Sequence, residues 1–235
     1  MTELEKSISQ FNGDPKILPF SKTVVTDSYW SKKHPGYATG QITRNNTFGN
    51  EIYKVSKNTK YKTYLEVGTW CGLGTTKCLL DGIIVRDDAK LISMESNRFF
   101  HETTNKYWSK YFDNYNIDKN KFKLYYGSLI SYDEIQDDFI TDGGQTKETY
   151  DYSQDVKNAP IITIDEKIDV LCLDGGHSTT EQEWNKFKEE IKMIILDDTK
   201  TSKTRVILTE ILNSPLWQVV YTSNDRNGEL IAMKN

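Results

Sequence analysis

The sequence predicts an α/β fold in which a doubly wound, seven-stranded sheet is mostly parallel and ends in an antiparallel hairpin. Five short apolar runs recur along the chain between residues 61 and 198. Near-continuous apolar runs are typical of parallel strands buried on both faces, and the segments between them are long enough for crossover helices. Two further runs close the chain with only "NDRN" between them, which leaves room for a hairpin turn but not for a helix.

Strands and helices alternate along the chain. Helical patterns cover 72–85 and 97–112, and the segment 179–193 places Trp184, Phe187 and Ile191 on one helical face. This alternation predicts a parallel sheet covered by helices. The predicted strands are 61–68, 89–96, 121–128, 168–176 and 191–198, followed by the hairpin strands 217–223 and 228–235.

One domain accounts for the whole sequence. A length of 235 residues is enough for a single α/β core. Residues 1–60 lack a clear strand pattern and are predicted to form a helical and loop cap, whereas residues 61–235 form the core. The polar, turn-rich stretch 131–160 is predicted to be an exposed insertion in that core.

Composition argues against several classes of function. The net charge of -4 and the lack of a long basic run disfavour sequence-independent binding to nucleic acid. No apolar stretch reaches the roughly 20 residues that span a bilayer, and the N-terminus does not resemble a signal peptide. The three cysteines have the spacing of neither a zinc site nor a disulfide framework. We therefore expect a cytoplasmic protein with no nucleic-acid or membrane partner, and the sequence leaves a homo-oligomer open.

A glycine loop, "GTWCGLGTT", follows the first predicted strand and precedes a helix. Glycines at that point let the backbone turn sharply and lie close to a ligand at the helix N-terminus. The spacing GxxxGxG differs from the GxGxxG that binds a pyrophosphate. Glu66, two residues before the first glycine, would repel a phosphate and attract a positively charged amino acid or sulfonium. A plain structural turn is the alternative.

Two further signals lie at the ends of the second and third strands. Glu95 closes the second strand, where an acidic side chain can accept hydrogen bonds from both hydroxyls of a ribose. Gly127 and Ser128 follow the third strand, where they could lie against an adenine ring. Because ligands bind at the carboxyl ends of strands in such sheets, the three signals together indicate a nucleoside-containing cofactor.

Acidic residues end the fourth and fifth strands. "LDGGH" places Asp174 and His177 after the fourth strand, and "LDD" places Asp197 and Asp198 after the fifth. Converging carboxylates repel one another unless a cation or a proton lies among them. Hard oxygen ligands suit Mg²⁺, Ca²⁺ or Mn²⁺ better than zinc. The alternative is that these aspartates cap helices or remain in water.

The motif "LEVGTWCGLGTT" followed by "SMES" resembles the cofactor motifs of class I S-adenosylmethionine-dependent methyltransferases, which have a Rossmann-like sheet with an antiparallel seventh strand. The resemblance covers roughly residues 36 to 235. It implies an S-adenosylmethionine site. The residues that it assigns to that site are Glu66, Gly68, Thr69, Trp70, Gly72, Gly74, Thr75, Glu95, Ser96, Gly127, Ser128 and Asp174.

Within that class, "GYATGQI", "EVGTWCG", "DGGH" and "LDD" occur in the order seen in metal-dependent O-methyltransferases of the catechol and macrolide-sugar types. The resemblance implies that Asp174, Asp197 and Asp198 hold Mg²⁺. It also implies that the catalytic residues are Asp174 and His177, with His177 removing the proton of the acceptor hydroxyl. The catechol enzymes have lysine at that position and a bulky aromatic pair in place of Gly175 and Gly176. A sugar or other polar hydroxyl acceptor is therefore expected rather than a catechol.

Three other functions compete with this interpretation. A short-chain NAD(P)-dependent dehydrogenase shares the GxxxGxG spacing, but its YxxxK pair is matched only by Tyr115 and Lys119, far too close to the glycines. A non-catalytic cofactor-binding protein would not need His177 and the aspartates. A nucleic-acid or protein N-methyltransferase should carry an Asn/Asp-Pro-Pro-aromatic motif after the fourth strand, where this chain has Gly175 and Gly176.

Overall fold

A single seven-stranded sheet forms the centre of the protein in a computed structural model that describes residues 42–135 and 152–235. The strand order is β3-β2-β1-β4-β5-β7-β6, and only the last two pairings, β5 with β7 and β7 with β6, are antiparallel. The strands are β1 (Thr63–Val67), β2 (Lys90–Glu95), β3 (Phe122–Tyr126), β4 (Val170–Leu173), β5 (Met193–Asp197), β6 (Trp217–Ser223) and β7 (Glu229–Lys234).

Six α-helices lie before and between these strands in the described part of the chain, together with two short 3-10 turns. The helices are α1 (Thr47–Lys57), α2 (Thr75–Ile83), α3 (Arg98–Tyr115), α4 (Tyr152–Asn158), α5 (Thr180–Phe187) and α6 (Ser202–Asn213), and the 3-10 turns are Lys119–Lys121 and Tyr132–Glu134. None of the helices in these two ranges has the length and apolar character needed to cross a bilayer.

Successive residues of the central strands enter two different cores, because side chains alternate between the two faces of a strand. Tyr64 packs on one face with side chains of α1, α2 and α3, whereas Leu65 and Val67 pack on the other with Trp184 of α5 and Ile207 of α6. Both faces are therefore covered by helices, as the apolar runs of the sequence predict.

The predicted fold class is confirmed, and each predicted strand has a counterpart in the sheet. The hairpin also forms as predicted, with β7 inserted between β5 and the edge strand β6. Most of the predicted cap and the middle of the predicted insertion, residues 1–41 and 136–151, lie outside the described residues. So does most of the motif "GYATGQI".

One helix prediction is wrong in its extent. The helix predicted over 179–193 ends at Phe187, and a turn leads from there to β5. Ile191 is nevertheless buried with Trp184, but it packs from the segment before β5 rather than from the helix. The spacing correctly predicted the burial of Trp184 and Ile191, whereas Phe187 is only half-buried and the charged Glu183 is buried. The early start of β5 at Met193 ended the helix.

The strand order reverses direction between β1 and β4, which are neighbours in the sheet. The helices that follow these two strands, α2 and α5, pack on opposite faces of the sheet. In open α/β sheets such a reversal opens a crevice at the carboxyl ends of the strands, where ligands bind. The glycine loop after β1 and the "DGGH" turn after β4 flank this crevice.

Candidate active site

The first glycine of the loop after β1 is required by the protein's own backbone. Gly68 has φ +93°, and a Cβ atom there would lie 2.3 Å from the carbonyl oxygen of Asp174. The amide of Asp174 also donates to the carbonyl of Val67, at 2.9 Å. Gly68 therefore brings the ends of β1 and β4 into contact and fixes the crevice between them.

The second glycine brings the loop against α3. Gly72 has φ +67°, and a Cβ atom there would lie 2.5 Å from the Thr104 side chain. The indole nitrogen of Trp108 donates to the Gly72 carbonyl at 3.0 Å, and the Thr104 hydroxyl donates to the Trp70 carbonyl at 2.8 Å. The ring of Trp70 stacks on Phe100 with 4.0 Å between ring centroids.

Glu66 lies beneath this loop rather than at its surface. Its side chain has no solvent exposure, and it accepts hydrogen bonds from the hydroxyls of Thr76 and Ser93. Thr69 shares the same buried cluster, with its hydroxyl 3.0 Å from the carbonyl oxygen of Met94. Burial raises the pKa of Glu66 to about 8, so the carboxyl group is mostly protonated near neutral pH. The attraction for a sulfonium inferred from its charge stays a prediction.

Glu95 fastens the loop to the end of β2. Its carboxylate accepts from the Trp70 amide at 2.7 Å and from the Asn97 amide at 2.8 Å. Burial raises its pKa to about 7, even though both backbone hydrogen bonds act in the opposite direction. Glu95 and the half-buried Ser96 therefore lie where a ribose is predicted, but the carboxylate already holds two donors.

Gly127 and Ser128 contact another part of the chain. A Cβ atom on Gly127 would lie 2.3 Å from the Ile162 side chain. Ser128 is buried, and its hydroxyl donates to the Ile130 carbonyl at 2.8 Å. Contacts within the protein therefore explain the glycine and the serine at these positions. Their predicted contact with an adenine stays a prediction.

The aspartates after β4 and β5 converge as predicted. Asp174, Asp197 and Asp198, here called the acidic triad, each offer a carboxylate oxygen, and these oxygens lie within 4.8 Å of one another. Thr75, the first residue of α2, donates its hydroxyl to Asp174 at 3.2 Å. Asp174 thus joins the glycine loop to the acidic triad.

Two cations already lie in this cluster. The ammonium group of Lys203 contacts Asp174 at 3.1 Å and Asp198 at 3.2 Å. The guanidinium of Arg226 donates to Oδ2 of Asp197 at 2.7 Å. Burial lowers the pKa of the Lys203 ammonium, but the charges of the acidic triad outweigh that effect and raise it above its usual range.

The acidic triad offers hard oxygen donors suited to a divalent cation. Oδ1 of Asp197 is buried and has no hydrogen-bond partner among the described residues, although the other oxygen binds Arg226. Burial, reinforced by the charges of Asp174 and Asp198, raises the pKa of Asp197 to about 7. An unpaired carboxylate oxygen beside two other carboxylates fits a cation site. A cation bound by all three would have to replace Lys203 at Asp174 and Asp198.

His177 lies in the turn between β4 and α5 and is exposed. Helix α5 begins at Thr180 with Thr179 as its N-cap residue, so His177 does not occupy the cap position. Two buried polar atoms follow it closely in the chain: the hydroxyl of Ser178 and Oε2 of Glu183 have no hydrogen-bond partner among the described residues. Burial raises the pKa of Glu183 to about 7.

Backbone strain is concentrated around this crevice. Four non-glycine residues in the described ranges have positive φ, and three of them lie at the site: Trp70 at 53°, Asp198 at 58° and Arg226 at 54°. The fourth, Asn116, is the C-cap of α3. Such conformations persist where the surrounding structure holds them, and they cluster at functional sites.

Sequence reasoning missed Lys203 and Arg226. Lys203 lies in the first turn of α6, where a positive charge is unfavourable for the helix dipole, but this signal stayed hidden because α6 itself was not predicted. Arg226 lies in the hairpin turn and reaches Asp197 only because β7 pairs with β5. Nothing in the local sequence indicates that contact.

Comparisons with solved structures give the fold a wider context. An O-methyltransferase from Bacillus cereus, solved with S-adenosylhomocysteine, is 13% identical with a TM-score of 0.56, covering 99% of this chain and 100% of that one. A Podospora anserina methyltransferase with S-adenosylhomocysteine is 11% identical with a TM-score of 0.55, covering 98% and 94%. An O-methyltransferase from Streptomyces achromogenes, involved in tomaymycin synthesis and solved with S-adenosylmethionine, is 10% identical with a TM-score of 0.57, covering both chains fully.

The chain has the fold of these methyltransferases. At these identities the likeness establishes the architecture alone. No protein-family model matches the sequence, and no curated protein matches it.

The dehydrogenase alternative loses its catalytic pair in this fold. Tyr115 ends α3, whereas the candidate site lies at the end of β2 where that helix begins. Tyr115 lies against Tyr111 with 4.7 Å between ring centroids, and Lys119 pairs with Asp113 at 2.7 Å. The pair therefore lies at the opposite edge of the sheet from the glycine loop.

Proposed function

We propose that this protein is an S-adenosylmethionine-dependent O-methyltransferase that uses a divalent cation, Mg²⁺ or a similar hard ion, and methylates a hydroxyl of a small molecule or glycan. The observation that carries the proposal is the position of Asp174. Its carboxylate accepts from Thr75 at the end of the glycine loop and belongs to the acidic triad on its other side. A cofactor on the loop and a hydroxyl at the triad would therefore be neighbours.

The glycine loop supplies the cofactor side of the proposed site. Gly68 and Gly72 hold the loop between β4 and α3, and Glu95 fixes its Trp70 amide. Gly74 is the N-cap residue of α2, and the first residue of that helix, Thr75, contacts Asp174. Methyl transfer is an in-line displacement, so a rigid loop serves it by fixing the direction of the methyl group.

The acidic triad and His177 supply the acceptor side. A divalent cation held by Asp174, Asp197 and Asp198 would lower the pKa of a bound hydroxyl and fix its oxygen. His177 would accept the hydroxyl proton as the oxygen bonds to the methyl carbon and the carbon–sulfur bond breaks. Its exposure in the turn after β4 leaves the imidazole open to an acceptor from outside.

The turn between Asp174 and His177 favours a wide acceptor. Gly175 and Gly176 present no side chain there, so a flat phenolic ring would lack a wall to stack on. A polar, three-dimensional molecule such as a sugar would not need one. We therefore place glycosides ahead of catechols as acceptors.

Ligand-dependent stability tests the cofactor part of the proposal. S-adenosylmethionine or S-adenosylhomocysteine at about a hundred times Kd should add about 2.7 kcal/mol to the free energy of unfolding. NAD should add nothing. Stabilisation by NAD without a response to either sulfur cofactor would overturn the assignment.

Transfer of labelled methyl groups tests the reaction itself. The protein should methylate members of a panel of glycosides and phenols when Mg²⁺ is present, and chelation should stop the transfer. Asp174→Asn should lose this activity, whereas the exposed Asp113→Asn at the opposite edge should keep it. Undiminished transfer after exhaustive chelation would remove the divalent cation from the proposal.

A further inference from the structure

The ammonium group of Lys203 lies within the acidic triad itself. It contacts Asp174 and Asp198 at 3.1 and 3.2 Å, which are two of the three carboxylates that would hold a divalent cation. Lys203 is only 5% exposed, although lysine rarely occurs fully buried unless it is paired. Its position is therefore that of an internal counter-ion rather than of a surface lysine.

The local charge balance without metal is already close to neutral. Three carboxylates face the two cations Lys203 and Arg226, so the cations offset two of the three negative charges. A divalent cation entering this cluster would add two charges to a site that is compensated before it arrives.

The two resident cations differ in what they block. Arg226 binds Oδ2 of Asp197 and leaves Oδ1 of the same carboxylate without a partner. Lys203 instead lies between Asp174 and Asp198 and takes one oxygen from each. The remaining oxygens of those two residues bind Thr75 and Asn227. Lys203 is thus the group that a shared cation has to displace.

We propose that Lys203 is a built-in competitor of the divalent cation and sets the affinity of the acidic triad for it. This inference rests on the proposed function, because it concerns the same triad. In the metal-free protein the ammonium holds Asp174 and Asp198 together. The divalent cation replaces it, and the flexible four-carbon stem of lysine lets the ammonium group swing aside.

Mn²⁺ binding to purified protein tests this role without any assay of activity. Titration calorimetry, together with the decrease of the electron paramagnetic resonance signal of free Mn²⁺, gives Kd for the wild type and for Lys203→Met. The variant should bind about 10- to 100-fold more tightly, the range over which groups around metal ligands change affinity. Lys200→Met is the matched control, because that lysine is exposed and its ammonium group donates to the Asn224 carbonyl at 2.9 Å rather than to a carboxylate of the triad. The control should bind Mn²⁺ as the wild type does.

Thermal melting gives a second readout. Without metal, Lys203→Met should melt below the wild type, because three carboxylates lose a counter-ion, and saturating Mn²⁺ should raise the variant's Tm by more than that of the wild type. Lys203→Gln keeps a hydrogen-bond donor but loses the charge. It should also melt below the wild type without metal and gain more in Tm from saturating Mn²⁺. If both variants unfold in the absence of metal, recovery of the fold with Mn²⁺ supports the inference and failure to recover overturns it.

The remaining outcomes separate this inference from the proposed function. Equal Mn²⁺ affinity in the wild type and Lys203→Met would overturn the competition while leaving the triad as a metal site. Absence of Mn²⁺ binding in both proteins would overturn the inference and also the metal dependence proposed above, whereas cofactor binding would still stand on its own test.

Discussion

The two halves of the carboxyl edge of the sheet solve the problem of buried carboxylates in opposite ways. The loop side consists of the glycine loop and the ends of β1 to β3. There the carboxyl groups of Glu66 and Glu95 accept hydrogen bonds from hydroxyls and backbone amides. On the acidic side, formed by the acidic triad with Lys203 and Arg226, the carboxylates depend on cations, and Oδ1 of Asp197 has no partner.

This difference separates a structural scaffold from the proposed reactive site. A fully bonded carboxyl group under a loop stabilises one backbone conformation and has little left to offer a ligand. An acidic cluster that depends on neighbouring cations and keeps one carboxylate oxygen unpaired costs stability, and under the proposed function that oxygen is available to a divalent ion. Mutations on the loop side should therefore change stability most, and mutations on the acidic side should change activity most.

The largest effect is expected at His177, in the turn that follows Asp174 of the acidic side. If this imidazole accepts the hydroxyl proton, His177→Ala should reduce kcat by about 10²- to 10⁴-fold. The free energy of unfolding should change by about 0.5 kcal/mol or less, because the side chain is exposed. Steady-state kinetics and denaturant unfolding on the same preparation measure both quantities.

His177→Lys sharpens this first prediction. Lysine titrates at higher pH than imidazole, so partial recovery of turnover with a higher pH optimum would support the role of a general base. Equal turnover in His177→Ala and the wild type from about pH 6 to 9 would show that the imidazole does not accept the proton of the acceptor hydroxyl.

The next largest effect is expected for the loop side at Gly68. Gly68→Ala places a Cβ atom against the Asp174 carbonyl at a backbone angle that L residues rarely adopt. Strain and the clash together should cost about 2–4 kcal/mol of unfolding free energy. Gly175→Ala is the control, since the closest atom to a Cβ atom there would be in the Val67 side chain, at 3.3 Å. A Gly68→Ala protein as stable as the Gly175→Ala control would refute the tight junction of β1 and β4.

A smaller loss is expected at Glu95. Glu95→Gln turns one acceptor into a donor that faces either the Trp70 or the Asn97 amide, so one buried group loses its partner. The expected cost is about 1–3 kcal/mol. Glu102→Gln, on the exposed face of α3 with a surface ion pair to Arg98, should cost about 0.5 kcal/mol or less. Denaturant unfolding measures the loss of unfolding free energy in both variants, and equal losses would contradict the role of Glu95 in holding the loop.

The last prediction on the loop side is a change of stability with pH, and it concerns the protonation of Glu66. The folded protein keeps this proton up to a pH of about 8, whereas the ordinary pKa is 4.5. The wild type therefore loses stability through this group as pH rises from 4.5 to about 8, by at most about 1.4 kcal/mol per pH unit. Glu66→Gln should not lose that part, so its stability relative to the wild type should increase with pH. Parallel stability curves for the two proteins would contradict a buried neutral carboxyl group.

Much of this architecture follows from sequence patterns with a simple physical cause. The parallel strands are visible because burial on both faces demands continuous apolar runs, and the short "NDRN" connection leaves only a hairpin. The convergence of Asp174 with Asp197 and Asp198 also follows, since carboxyl ends of parallel strands meet at one edge.

The features that escaped prediction depend on tertiary contacts. Helix α6 was not recognised, because it presents a narrow buried stripe in which Ile207 and Ile211 follow a polar first turn. Lys203 meets Asp174 across 29 positions of sequence, and Arg226 meets Asp197 across another 29. Glu66 was expected to act through its charge, and only the structure reveals the burial that favours its neutral form.

Anomalous diffraction from a crystal grown with S-adenosylhomocysteine and Mn²⁺ tests the central claim most directly. We predict density for the nucleoside along the ends of β1, β2 and β3, and a manganese peak bonded to Asp174, Asp197 and Asp198 with the Lys203 ammonium displaced from them. S-adenosylhomocysteine bound at that edge, with no manganese peak at the acidic triad and Lys203 still between Asp174 and Asp198, would contradict it.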